Sequence, residues 1–357
     1  MADDNPTGAP ADVQAVKLLL ERLGVTAEQL FDGPARAAVP MPTVYEYVQR
    51  VAKAVTPGTR RVYETYWNRT CEIWGHRRLD EPTALEIHQL AEQVKTEVVI
   101  RRNARGGRSA AEHLIAALRC LYHYAELDQL IDERDNPASR VDKPRRLPST
   151  RRALLDNQLA EINEVASTTG NDPALDTLLL RTHTETACRR GGALALRPFD
   201  LDEEQCLIRL REKGQTERWQ PVTPTLMGCL LDHGRKRGDG DPFGQLLRYD
   251  TGKPITARRY DHLWGRIGKH LPWVATQQVT MHWIRYTTLT WVERTFGYAV
   301  ARAYAGHNGR RDSGSTATYV RADVYEVALA LATLAGEAHP LVPDGSGFPA
   351  SAPRAIT

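Results

Sequence analysis

The sequence predicts a mainly α-helical protein with one small antiparallel β-hairpin, divided into two domains. Apolar residues recur at helical spacing through residues 43–139, where no strand pattern occurs. From residue 153 onward the pattern is mixed, because the short segments 206–210 and 218–222 flank the turn-forming sequence Glu-Lys-Gly-Gln. At 357 residues the chain is long enough for two domains of ordinary size. We therefore predict an all-α domain followed by an α+β domain.

Residues 1–42 are predicted to be an N-terminal extension with one short helix. Val16, Leu19 and Leu23 share a helical spacing, and Gly24 follows them as a helix end. The pattern indicates no function for this segment.

The segment 43–139 is predicted to hold four helices. Threonines at positions 43, 56 and 83 each precede a periodic apolar run, as capping residues do. The fourth helix is expected from Ser109, and Asp135-Asn-Pro137 closes the domain. These helices are expected to form a bundle.

Residues 140–152 are predicted to link the two domains. Their sequence, RVDKPRRLPSTRR, contains six basic residues and one acidic residue. Its two prolines favour an extended chain. Such a strip could neutralise DNA phosphates.

The second domain is predicted to span 153–336, and 337–357 is expected to be a disordered tail because it is rich in Pro, Gly and Ser. One helix should begin at Asp156, and a longer one should run from Asp172-Pro173 to Cys188. Further helices are expected around 225–236, 256–269, 281–294, 297–306 and 322–335.

The composition limits the class of protein. A net charge of +3 and a pI near 8.6 are compatible with nucleic-acid binding without demanding it. Five cysteines without Cys-x-x-Cys spacing predict neither a disulfide framework nor a metal site, and they suit the cytoplasm. No apolar run approaches the ~18 residues that would cross a membrane. We expect a cytoplasmic protein without a metal or other cofactor.

Six side chains, in a fixed order, can break a phosphodiester. That reaction needs a nucleophile, positive charge around the phosphorane and a proton for the leaving oxygen. Arginine can supply the charge because its planar fork donates to two phosphate oxygens at once. Each residue alone is better explained by a structural role, but the order and spacing of all six together favour the chemistry. The six are Arg189, Lys213, His282, Arg285, His307 and Tyr319.

The motifs around these residues resemble those of a known family. They are Thr186-Ala-Cys-Arg189, Arg211-Glu-Lys213-Gly, His282-Trp-Ile-Arg285, Gly306-His307 and Thr316-Ala-Thr-Tyr319. From about residue 43 to residue 336 the chain resembles the tyrosine recombinase (phage integrase) family. The resemblance implies a SAM-like helical core-binding domain and a tyrosine-recombinase catalytic domain, which together form a C-shaped clamp around duplex DNA.

The resemblance also implies a role for each residue. Tyr319 would attack the phosphate to leave a 3′-phosphotyrosine, and Arg189 and Arg285 would clamp the non-bridging oxygens. Lys213 would protonate the leaving 5′-oxygen. His282 would serve as general base, and His307 would hydrogen-bond the phosphate. Rejoining would need neither ATP nor metal, and four protomers would assemble on two DNA sites.

Three departures from the family pattern leave alternatives open. Gly192 stands where the family often has an acidic residue, Tyr286 replaces a common histidine, and the segment between His307 and Tyr319 is longer than usual. One alternative is a DNA-binding protein of the same fold that no longer cuts. The other is an enzyme that relaxes DNA like a type IB topoisomerase. Tyr325 is the nearby substitute for Tyr319 as nucleophile.

Clusters of basic residues are predicted to contact DNA phosphates, which position a protein without specifying sequence. The target sequence, the direction of the reaction and any accessory factor are therefore not indicated. The candidates are Arg60, Arg61, Arg101, Arg102, Arg105, Arg108, Arg140, Lys143, Arg145, Arg146, Arg151, Arg152, Arg258 and Arg259.

Overall fold

The protein folds as two units, residues 1–147 and 148–357. The computed structural model describes residues 10–24, 40–97, 107–145, 151–212, 216–306 and 322–343. Its described part is mainly helical with one three-stranded antiparallel sheet, as the sequence predicted. The division between units falls inside the predicted basic linker, whose exact bounds remain a prediction.

The first unit is built from helices whose starts are fixed by threonine caps. Thr43, Thr56 and Thr83 each accept a hydrogen bond from a backbone N–H three residues later. The last helix begins at Arg108 rather than at Ser109, because Gly107 (φ 74°) turns the chain into it. The helices are α1 (Pro10–Leu23), α2 (Val44–Ala54), α3 (Pro57–Trp74), α4 (Ala84–Glu97) and α5 (Arg108–Leu127).

Helix α5 is the centre of this unit, since α2, α3 and α4 all pack against it. Trp67 is fully buried there, and its indole N–H donates to the carbonyl of Ala117 at 3.0 Å. Tyr122 is buried as well, and its hydroxyl donates to the carbonyl of Leu79 at 3.0 Å. Large aromatic side chains therefore fill the core while their polar atoms stay paired.

The second unit combines helices with the sheet. The order of the sheet is β1-β2-β3, with Arg209 of β2 opposite Trp219 of β3. The predicted hairpin is thus present as β2 and β3, whereas β1, α8 and α11 were not predicted. The elements are α6 (Asp156–Thr168), α7 (Pro173–Thr186), α8 (Arg190–Leu194), β1 (Leu201–Asp202), β2 (Leu207–Glu212), β3 (Thr216–Pro221), α9 (Pro224–Arg237), α10 (Ala257–His270), α11 (Pro272–Gln277), α12 (Met281–Tyr304) and α13 (Val324–Ala335).

Two helices meet at a kink within α12, where the sequence predicted two separate helices. Gly297 has φ 84° and ψ 173°, which is not a helical conformation, so the helical backbone is interrupted there. Beyond this bend, Tyr304 packs in a small core with Val327 and Leu331 of α13. The larger core of the unit lies between the sheet and the helices α6, α7, α9 and α10.

The segment after α13 corrects one prediction. Residues 337–357 were expected to be disordered, but the described part, up to residue 343, packs on the second unit. Thr225 donates to the carboxylate of Glu337 at 2.7 Å, and His339 is buried with Nε2 3.3 Å from the carbonyl oxygen of Cys206. Composition missed this because only two side chains of a polar segment, Glu337 and His339, make these contacts. Across the described ranges, no helix is long and apolar enough to cross a membrane.

Candidate active site

Arg189 is placed by a sharp turn at the end of α7. Ala187 has φ 47°, a left-handed conformation that residues other than glycine rarely adopt. The turn ends α7 at Thr186 and puts Arg189 at the N-cap of α8. Arg189 therefore lies beyond the last turn of α7, in the connection to α8.

A carboxylate from the sheet holds Arg189. Nη1 of Arg189 donates to Oε2 of Glu212 at 2.7 Å, and the backbone N–H of Arg189 donates to Oε1 of the same group. The Glu212 side chain is fully buried, whereas that of Arg189 is 36% exposed. The guanidinium is thus anchored on one side while part of it faces solvent.

Arg285 comes from the first turns of α12 and is almost completely buried. Its guanidinium donates to the carbonyl of Ala187 and to that of Ala305, the latter at 2.8 Å. Burial, followed by repulsion from Arg189, lowers the pKa of Arg285 to about 10. Arg285 is thus near enough to Arg189 for their charges to interact, and a pKa of about 10 keeps Arg285 charged at neutral pH.

His282 lies one turn before Arg285 on the same helix and is exposed to solvent. The pKa of its imidazole is lowered, first by partial loss of water around the ring and then by repulsion from Arg151, Arg285 and Arg189. The ring is therefore biased towards its neutral form, which can accept a proton. Arg151, near the end of the predicted linker, belongs to the second unit, and its charge contributes to this repulsion.

These side chains border a cleft of about 520 Å³ in the second unit. Its aromatic wall is formed by Tyr260 and Trp264, and its charged and titratable lining residues are Arg189, Arg190, Asp261, His282 and Arg285. Two close guanidinium groups and an imidazole form a site for a small anionic group such as a phosphate.

The sequence analysis missed a supporting layer behind the arginines. His183 is fully buried, with Nε2 3.0 Å from the hydroxyl of Tyr260 and Nδ1 3.1 Å from the carbonyl oxygen of Cys188. Burial lowers the pKa of His183 to about 4. This histidine thus links the cleft wall to the turn that carries Arg189. Its position on an apolar helical face gave no signal of such a contact.

A third arginine, Arg218, was also missed. It extends from β3, and burial lowers the pKa of its guanidinium. Gly306 packs directly on it: a Cβ there would lie 2.4 Å from Nε of Arg218, and φ at Gly306 is 67°. Glycine is required at this position because a side chain would collide with the guanidinium. The strand pattern of β3 alone gave no reason to place this arginine near Arg285.

Three of the six predicted catalytic residues, Lys213, His307 and Tyr319, lie outside the described residues. The same holds for Arg101, Arg102, Arg105 and Arg146. Tyr325, the substitute nucleophile, is exposed in the first turn of α13. The structure thus brings Arg189, His282 and Arg285 together.

Most of the predicted DNA contacts that the structure describes are exposed. In the first unit Arg60 forms an ion pair with Glu64 at 2.9 Å, and Arg140 donates to the carbonyl of Arg134. The exposed residues are Arg60, Arg61, Arg108, Arg140, Lys143, Arg145, Arg151, Arg152 and Arg258.

Arg259 is the exception, and its predicted DNA contact is wrong. Only 5% of the residue is exposed. Its guanidinium donates to Asp176 at 2.7 Å, to Asn171 at 2.9 Å and to the carbonyl of Asp172 at 3.0 Å. All of these partners lie inside the unit, so Arg259 stabilises the fold. Its neighbour Arg258 points to solvent, because adjacent helical residues face different directions.

Known proteins resemble the chain in sequence. "Tyrosine recombinase XerC" of Chlamydia pneumoniae is 25% identical over 236 residues, which cover 64% of this chain and 70% of the relative. The protein of the same name from Chlamydia caviae is 31% identical over 139 residues, 37% of this chain and 43% of that relative. No protein-family model matches the chain.

Solved structures share its fold. A lambda integrase tetramer bound to a Holliday junction superposes with a TM-score of 0.57 at 14% identity, covering 90% of this chain and 89% of that one. The Tn1549 transposon integrase in complex with circular intermediate DNA gives 0.57 at 17% identity, covering 79% and 96%. At these identities the likeness establishes the fold.

Proposed function

We propose that this chain, a member of the tyrosine recombinase family, cleaves and rejoins duplex DNA at specific sites through a 3′-phosphotyrosine intermediate. One observation carries the proposal: Arg189, His282 and Arg285 line the same cleft, where the positive charge of Arg189 helps to lower the pKa of Arg285. Repulsion of this kind is relieved by an anion that both arginines bind. A phosphodiester supplies such an anion, with two oxygens that accept from the arginine forks.

In the proposed reaction the hydroxyl of Tyr319 attacks the scissile phosphorus. A phosphorus–oxygen bond to the tyrosine forms, and the bond to the 5′-oxygen breaks. The phenolic proton passes to a base, and the 5′-oxygen takes a proton from Lys213 as it leaves. Arg189 and Arg285 stabilise the added negative charge of the phosphorane, and His307 donates a further hydrogen bond. Attack by a 5′-hydroxyl on the phosphotyrosine reverses these steps and rejoins the strand.

His282 is proposed to be the base. Its lowered pKa keeps the imidazole neutral at neutral pH, so that it can take the phenolic proton. Arg285 does not compete for this role, because a pKa of about 10 leaves it charged at neutral pH. The two kinds of side chain differ in their surroundings. Protein groups bind the guanidinium groups of Arg189 and Arg285, whereas the imidazole of His282 is exposed to solvent.

The proposed partner is a double-stranded recombination site, and the proposed assembly is a tetramer on two such sites in the cytoplasm. The lambda integrase that shares the fold is a tetramer on a Holliday junction, which supports this assembly. Exposed basic residues, among them Arg151 and Arg152, would contact the DNA backbone.

Covalent trapping on a randomised DNA library tests the proposal, because such a library contains every short target sequence. Duplexes with a randomised segment and a single nick are incubated with the full chain, and adducts are recovered under denaturing conditions. A nick lets the short product diffuse away, so the adduct accumulates. We expect an adduct whose tryptic peptide contains modified Tyr319, and we expect Tyr319→Phe to abolish it while DNA binding persists.

Other outcomes would identify the alternatives. DNA binding without any adduct would favour a non-cutting DNA-binding protein, and modification of Tyr325 would reassign the nucleophile. Relaxation of supercoiled plasmid without enrichment of any sequence would favour the topoisomerase-like enzyme.

A further inference from the structure

Glu212 is an acidic residue at the start of the predicted turn, yet its side chain is buried. It is the last residue of β2, and its side chain is fully buried. One carboxylate oxygen accepts from Nη1 of Arg189 at 2.7 Å, and the other accepts from the backbone N–H of Arg189. The same group therefore fixes both the main chain and the side chain of one arginine, which leaves the guanidinium little freedom to rotate.

Gly192 leaves the space that this carboxylate occupies. It lies in α8, where its N–H donates to the carbonyl of Arg189 at 2.8 Å. A Cβ at residue 192 would lie 3.1 Å from Cγ and 3.2 Å from Oε1 of Glu212. Glu212 cannot easily retreat because two hydrogen bonds hold it. The neighbouring Gly191 differs, since a Cβ there would meet open space.

Glu212 also opposes the repulsion among the positive groups. Burial and Arg189 both lower the pKa of Arg285, and Glu212 acts in the opposite direction. Burial likewise lowers the pKa of Arg218, and Glu212 again opposes it. The guanidinium groups of Arg189, Arg218 and Arg285 outnumber the single carboxylate of Glu212, so the cluster keeps an excess of positive charge. The carboxylate thus keeps the arginines together without cancelling their attraction for a phosphate.

We propose that Glu212 is a positioning residue, which orients Arg189 towards the phosphate from the sheet side, and that Gly192 is required because Glu212 reaches across it. The carboxylate does not touch the DNA in this proposal; it acts through Arg189. The consequence for cleavage rests on the proposed function, whereas the consequence for the Arg189 guanidinium does not.

Nitrogen-15 NMR of the arginine side chains tests the positioning independently of catalysis. The Arg189 guanidinium signal is assigned by its loss in Arg189→Lys. In Glu212→Gln, which keeps the size of the side chain but removes its charge, we expect that signal to broaden and move towards the position of a solvated arginine. Gly192→Ala should shift it the same way by displacing Glu212, and Gly191→Ala should leave it in place. An unchanged signal in both Glu212→Gln and Gly192→Ala would overturn the proposal.

Single-turnover cleavage then tests the catalytic consequence. We expect Glu212→Gln to slow formation of the adduct about 100-fold with little change in DNA affinity, since misplacing a catalytic group costs rate more than binding. Asp172→Asn is the matched control. Asp172 is also a buried carboxylate paired with one arginine, Arg237, at 2.9 Å. It lies at the far end of α7, about 21 Å of helix away from Arg189.

The outcomes separate the two proposals. A displaced Arg189 signal with slowed cleavage supports positioning, and a displaced signal with unchanged cleavage overturns the catalytic part. If the wild type forms no adduct at all, the proposed function fails, and the NMR result still decides whether Glu212 orients Arg189. Should Glu212→Gln fail to fold, Gly192→Ala provides both measurements, because it leaves every charge in place.

Discussion

The two units treat their charged side chains in opposite ways. In the first unit the ion pairs lie at the surface, as in Arg60–Glu64, where the side chains are 51% and 45% exposed. In the second unit the side chains of four carboxylate residues, Asp176, Glu185, Asp200 and Glu212, are completely buried. Removing a charge from water is unfavourable unless it is paired and hydrogen-bonded. In the second unit each of these buried carboxylates is paired with at least one arginine, and the pairing fixes the position of that arginine.

Asp200 shows how far this arrangement extends. Its carboxylate accepts from Arg197, Arg209 and Arg211, at distances of 2.6 to 3.2 Å. Although burial raises its pKa, the three arginines dominate and hold that pKa well below its usual range. No buried carboxylate of this kind occurs among the described residues of the first unit. Fixed buried charge is therefore a property of the unit that contains the candidate active site.

The largest effect in this comparison should come from Asp176→Ala. Asp176 accepts from Arg259 at 2.7 Å and from Arg266 at 2.6 Å, and the change would leave both arginines without their buried partner. We expect the second unit to lose about 3–5 kcal/mol of stability. Native-state hydrogen exchange with mass spectrometry reports each unit separately. Glu64→Ala, which breaks an exposed pair in the first unit, is the control and should cost about 0.5 kcal/mol or less. Equal losses of stability in the two variants would show that the buried and the exposed ion pairs contribute alike.

The next effect concerns Arg285→Lys. Lysine keeps the positive charge but loses the planar fork that joins the carbonyls of Ala187 and Ala305. We expect adduct formation to slow about 100-fold or more, as on removal of one preorganised donor. Arg235, an exposed residue of α9 that pairs with Asp232, provides the matched replacement, because Arg235→Lys should leave the rate nearly unchanged. If both variants cleave like the wild type, the fixed geometry of Arg285 is not needed.

Lowering the pH is expected to reduce the stability of the second unit, by less than the upper value expected for Asp176→Ala. The pKa of His183 falls from 6.5 to about 4 on folding, because the buried ring has lost water. Between these values the unfolded chain binds more protons, so stability rises with pH. The contribution is fully present above pH 6.5 and is lost as the pH falls towards 4, by about 3 kcal/mol in total.

His183→Gln removes this titration and makes the acid effect measurable. We expect hydrogen exchange in the second unit to depend less steeply on pH between 4 and 6.5 in the variant than in the wild type. His233, whose pKa is lowered to about 4 by burial, remains in both proteins and contributes to the residual slope, as do His282 and His339, whose pKa values burial also lowers. Identical slopes would show that His183 is not held neutral by burial.

The helices and their starts were predictable because their causes are local. Thr43 and Thr56 cap helices through residues three positions away, and the hairpin follows from alternation around a turn. The short elements β1 and α8 were missed because they have too few residues to show a period. They are held by contacts with β2, which lies elsewhere in the sequence.

By itself the sequence determined the mainly helical fold, the single hairpin and the order of arginines, histidines, lysine and tyrosine that indicates phosphodiester chemistry. Tertiary structure alone decided which charges serve the site and which serve the core. Arg258 and Arg259 are adjacent and chemically identical, yet one is solvated and the other is buried against Asp176. Glu212 and Arg189 lie 23 positions apart and meet only when the sheet packs beside α8. Periodicity records which face of an element is buried, but the partner of a buried charge depends on a distant segment.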